Sequence, residues 1–70
     1  MINQAYCLAH ELDAVNEYNY YSRKASYYYA KATETGVQAF ASVARGYDTL
    51  AETALIEAKY YRGLFLQCIH

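Results

Sequence analysis

The sequence predicts an all-α fold: an antiparallel two-helix hairpin that assembles into a homo-oligomeric helical bundle. Three observations predict it. Val37, Phe40, Ala44, Tyr47, Ala51, Ala54, Ala58, Tyr61, Phe65 and Cys68 alternate steps of three and four without a slip, the period of one helix lying lengthwise on another. There is no proline, and glycine occurs only at Gly36, Gly46 and Gly63, so few turns are obligatory. Twelve alanines and ten tyrosines outnumber the 14 Leu, Ile, Val and Phe residues, so the interior must be built largely from alanine and tyrosine.

The first helix is expected over roughly 3–33. Ala14, Tyr18, Tyr21, Ala25, Tyr28 and Ala32 keep a heptad, while Ala5, Leu8, Leu12 and Val15 keep another in a shifted phase. The apolar stripe is therefore wide near its middle, enough to meet more than one neighbouring helix. The turn falls at Thr33-Glu34-Thr35-Gly36, where Gly36 is the natural stop. Thr35 and Gln38 have the spacing of a capping box, which would start a second helix over roughly 37–67. Gly46 interrupts that helix in composition, and Thr49 with Glu52 offers a second capping box there. The heptad runs through Ala44, Tyr47 and Ala51 in phase, which predicts one continuous helix. In a hairpin turning near residue 35, facing residues have numbers that total about 70. Tyr18 then opposes Ala51 and Ala54, and Tyr28 opposes Ala41 and Ala44, large against small.

Seventy residues form a single domain, 1–70, too small to bury much; one such core supplies about 3–5 kcal/mol. A partner must cover the remaining apolar surface, and the expected partner is the chain itself, as a dimer or higher oligomer such as a four-helix bundle, or another protein. Tyr18, Tyr21, Tyr27, Tyr28, Tyr29, Tyr47, Tyr61 and Phe65 are the expected interface residues, since tyrosine is enriched in interface cores.

The formal charge is −1, from six Lys/Arg against seven Asp/Glu. That gives no electrostatic footprint for nucleic acid. No apolar run approaches the ~18 residues of a membrane span. The start lacks a cationic segment followed by an apolar core, so no signal peptide and a cytoplasmic location with reduced cysteines are expected.

Three constellations could carry chemistry. Glu11, Glu17, Asp48, Glu52 and Glu57 fall in the half of the hairpin away from the turn, with Glu17 opposing Glu52 and Glu11 opposing the neighbourhood of Glu57. Facing carboxylates are the raw material of metal sites in bundles; the alternative is a solvated face paired with Lys59 and Arg62. At the open end, Cys7 and His10 meet Cys68 and His70, a set that suits zinc, a Cys7–Cys68 disulfide, or two inert buried thiols. Tyr27, Tyr28 and Tyr29 lie near Arg23, Lys24, Lys31 and Arg45, which suits stacking on a nucleic acid or phosphorylated ligand, or packing at an interface. There is no phosphate loop, and no nucleophile, histidine and carboxylate are arranged for catalysis, so enzymatic activity is not expected.

The run Leu8-Ala9-His10-Glu11-Leu12-Asp13-Ala14-Val15-Asn16-Glu17-Tyr18, with Arg23 beyond it, resembles the first helix of bacterioferritin-type ferritin-like proteins. Lys31-Ala32-Thr33-Glu34-Thr35-Gly36 resembles the end of that helix in rubrerythrins, and Asp48-Thr49-Leu50-Ala51-Glu52-Thr53-Ala54-Leu55 resembles the family's ligand helix. The resemblance covers about half the chain. It implies a ferritin-like hairpin that has lost, or never had, a complete ferroxidase centre; the alternative is a di-iron-type bundle with oxidase or storage activity, in which Glu11 or Glu17 with Glu52 from two chains would hold iron or another divalent metal. Leu55 stands where the ligand histidine of Glu-x-x-His belongs, and that motif occurs nowhere in the chain. The reading from the residues themselves is a small self-associating helical protein with a structural or protein-interaction role and no cofactor.

Overall fold

A computed structural model describes residues 3–68. They form two helices, α1 (Gln4–Thr35) and α2 (Gln38–Gln67), packed along each other; the described residues contain no strand. The molecule is a rod of 53 × 14 × 13 Å.

α1 begins at Asn3, whose side-chain oxygen accepts the Tyr6 N–H at 2.8 Å. Asparagine suits this position because its short side chain reaches an amide that has no helical partner. The helix ends at Gly36, in the left-handed conformation at φ 73°, where its N–H donates to the Ala32 carbonyl at 2.8 Å. Glycine alone takes this conformation without a Cβ penalty.

The Thr35–Gln38 capping box does not form. Thr35 is still part of α1, and its hydroxyl donates to the Lys31 carbonyl at 2.7 Å while accepting the Val37 N–H at 3.2 Å. Val37 takes the cap position of α2 without a side-chain bond. Thr49 likewise donates to the Arg45 carbonyl at 3.1 Å, as an ordinary mid-helix threonine does, and α2 passes through Gly46 unbroken. With only Gly36 and Val37 between the helices, the facing register is displaced by about three residues from a turn at 33–36.

The seam is lined by Cys7, Ala14 and Ala25 of α1 and by Ala44, Ala51, Ala54 and Ala58 of α2, all buried. Side chains this small let the two backbones approach closely. Beside the alanines runs an aromatic ladder. Tyr28 stacks on Tyr47 at 5.7 Å and on Phe40 at 6.1 Å, and Tyr47 reaches Tyr21 at 6.1 Å. Tyr21 and Tyr28 are seven apart on α1, as Phe40 and Tyr47 are on α2, so the rings interleave at the heptad period.

Candidate functional site

Two helices leave two long flanks, and the side chains on them differ in kind. One flank carries Leu8, Leu12 and Val15 beside the Glu11–Arg62 ion pair, in which the Arg62 Nε donates to Glu11 Oε2 at 2.9 Å. Arg62 also lies over the Phe65 ring at 5.4 Å. Further along, the Tyr29 hydroxyl donates to Asp48 Oδ2 at 2.9 Å.

The other flank holds a groove of about 450 Å³ lined by His10, Asp13, Ala14 and Glu17 of α1 and by Ile56, Glu57, Tyr60 and Tyr61 of α2. His10 stacks on Tyr61 at 4.9 Å and packs on Tyr6 at 4.2 Å. Nearer the turn, the same flank of α1 becomes basic: Tyr20, Arg23, Lys24, Tyr27 and Tyr28 line a shallow trough. Lys24 sits over the Tyr20 ring at 5.7 Å and Lys31 over Tyr27 at 5.9 Å, four residues on in each case.

Three tyrosine doublets explain this texture. In Tyr20-Tyr21, Tyr27-Tyr28 and Tyr60-Tyr61 the second ring packs across the hairpin and the first meets it edge-on at 5.4, 5.0 and 5.2 Å. The first ring of each doublet stays exposed: Tyr20 at 55%, Tyr27 at 54% and Tyr60 at 60%. Consecutive helical positions differ by about 100°, so two rings in a row cannot both enter one seam.

Of the expected interface residues, Tyr21, Tyr28, Tyr47 and Tyr61 are engaged within the hairpin and only half-buried, as are Tyr18 and Phe65. Tyr27 is exposed, and Tyr29, at 40% exposure, is held by Asp48. Tyr20, Tyr60 and Ile56, the last 68% exposed, were not among the interface residues expected from sequence. The doublets themselves were the available signal for the two tyrosines.

The expected metal ligands are spread out. Glu11 is tied to Arg62, Glu17 lines the groove with Asp13 and Glu57, and exposed Glu52 stands one turn beyond Asp48 on α2, away from that groove. The displaced register sets Glu17 beside Glu57 rather than Glu52. Among the described residues no three His, Cys, Asp or Glu side chains converge as a metal-ligating group. At the open end, Cys7 is a fully buried thiol with Cys68 within hydrogen-bonding reach, and His10 is held between two tyrosine rings. His70 lies outside the described residues. Among the described residues no helix is long and apolar enough to cross a membrane.

Among the described residues, Cys7, Tyr29 and Tyr61 hold their protons more tightly than usual. Burial pushes the Cys7 thiol up, and the Cys68 sulfur adds to this. The hydrogen bond to Asp48, then burial, raises the Tyr29 phenol, and burial followed by its Tyr6 neighbour raises Tyr61. In the unfolded chain these groups ionise at their ordinary values, 9.0 for the thiol and 10.0 for the phenols. Above those values the unfolded state binds fewer protons than the native state, so stability falls as pH rises. The urea midpoint is expected to drop between neutral pH and about pH 10.5, and to drop less in Tyr29→Phe. A midpoint that does not move over that range contradicts this assignment.

No family model, curated protein or solved structure matches the chain. The hairpin by itself gives no evidence for a ferritin-like assignment.

Proposed function

We propose that this chain is a small self-associating helical-bundle protein of the cytoplasm, with a structural or protein-interaction role and no catalytic chemistry of its own. The observation that carries the proposal is the mismatch between what the hairpin buries and what it leaves exposed. Its fully covered side chains are one cysteine and six alanines, while Leu8, Leu12, Ile56, Tyr60 and Leu66 are between 45% and 68% exposed. A seam of alanines gives little hydrophobic stabilisation per residue, because each contributes one methyl group. Apolar surface left on a chain of this size is the kind that a second copy covers.

The experiment is thermal unfolding at several protein concentrations. Association of folded chains stabilises them by mass action, so the melting temperature is expected to rise with concentration. A melting temperature independent of concentration would overturn the proposal.

A further inference from the structure

We infer that self-association proceeds through an antiparallel pairing of α1 with α1 of a second copy, along the flank that carries Asp13, Glu17, Tyr20, Lys24, Tyr27 and Lys31. The inference rests on the self-association proposed above and supplies its geometry.

Those six positions alternate steps of four and three, so they share one side of the helix. The order of steps reads the same from either end. When α1 lies antiparallel on a second α1, each position therefore meets another member of the same row. Asp13 meets Lys31 of the second copy, Glu17 meets Tyr27, and Tyr20 meets Lys24. Each contact then occurs twice about a two-fold axis, as a closed dimer requires.

The chemistry of these pairs is complementary throughout. A carboxylate meets an ammonium, a carboxylate meets a phenol that can donate to it, and an ammonium meets an aromatic ring. A parallel pairing would set Asp13 on Asp13 and Lys31 on Lys31, which charge repulsion disfavours. The charges are segregated in the way this demands: the groove toward the open end is acidic, with Asp13, Glu17 and Glu57, and the trough toward the turn is basic, with Arg23 and Lys24. The antiparallel arrangement lays the basic trough of one copy over the acidic groove of the other. Ile56 and Tyr60, on the rim of that groove at 68% and 60% exposure, are covered by the same move. Exposed aromatic rings at the centre of a contact, ringed by matched charges, are the usual build of an interface core.

Charge exchange tests the pairing. Asp13 and Lys31 stand 18 residues apart on one straight helix, about 27 Å, so within one chain they cannot touch. Asp13→Lys and Lys31→Asp, each alone, place like charges opposite each other twice per dimer. Each is expected to weaken dimerisation about tenfold in sedimentation equilibrium at low salt. The double exchange, Asp13→Lys with Lys31→Asp, restores opposite charges at both contacts and is expected to recover affinity to within about threefold of the original chain. Circular dichroism of each variant confirms that the helices persist. A dimer indifferent to both single reversals, or weakened further by the double exchange, would overturn this geometry while leaving self-association intact. A monomer in the unaltered chain would overturn both.

Discussion

Ala44→Leu is expected to cost the hairpin most of its stability. Ala44 has no exposed surface and lies on the seam one turn from both Phe40 and Tyr47, whose rings stack on Tyr28. A leucine there needs volume that two close-packed helices do not have, so it must push them apart or leave its rotamer. Such overpacking costs about 1–3 kcal/mol, against about 3–5 kcal/mol for an entire core of this size. Urea unfolding followed by circular dichroism should show a midpoint shifted far toward zero. Ala30→Leu makes the same chemical change on the exposed side of α1 and is expected to stay within about 0.5 kcal/mol of the original chain. If the two substitutions behave alike, alanine at the seam is not what sets the approach of the helices.

Tyr47→Ala is expected to have the second largest effect. Its ring is the only one in the ladder that touches both Tyr21 and Tyr28, at 6.1 and 5.7 Å. Removing it breaks two stacked contacts and opens the seam on that side. The ring is half-buried, so the loss is about 2 kcal/mol, below the figure for a fully buried aromatic. Tyr47→Phe keeps the ring and is expected to lie within about 0.5 kcal/mol, because no hydrogen bond of the Tyr47 hydroxyl contributes to the stack. Thermal melts of the two variants side by side check this: equal losses would show that the hydroxyl, not the ring, carries the contact.

The two packed helices were legible in the sequence because a single pattern, the heptad from Val37 to Cys68, is long enough to outweigh local breakers. It carried α2 through Gly46, where glycine and the Thr49–Glu52 spacing pointed to a break. Local signals were less informative where one residue could serve two helices. Thr35 has the spacing of a cap for α2, yet its hydroxyl binds the Lys31 carbonyl and it ends α1 instead. That choice depends on where Gly36 turns the chain, and the turn also moves the register enough to place Glu17 beside Glu57 rather than Glu52. The tyrosines were more legible. The heptads place Tyr21, Tyr28 and Tyr61, the second ring of each doublet, on the seam, and helical geometry turns the first ring about 100° away onto the flank.

The charged row from Asp13 to Lys31 was hidden for a different reason. Apolar periodicity finds the face turned toward the hairpin partner, whereas this row, on the adjoining flank, begins with two acidic residues and continues with alternating aromatic and basic ones. Its order of charges from one end to the other bears on the proposed pairing, in which the helix is laid against a copy of itself.

The proposed function stands on self-association of the chain. Native mass spectrometry of the purified chain, from low to high micromolar concentration and after growth with added iron, tests it most directly. The account predicts a metal-free species at twice the 8.0 kDa monomer mass, or at a higher multiple, across that range. A monomer at every concentration would contradict it.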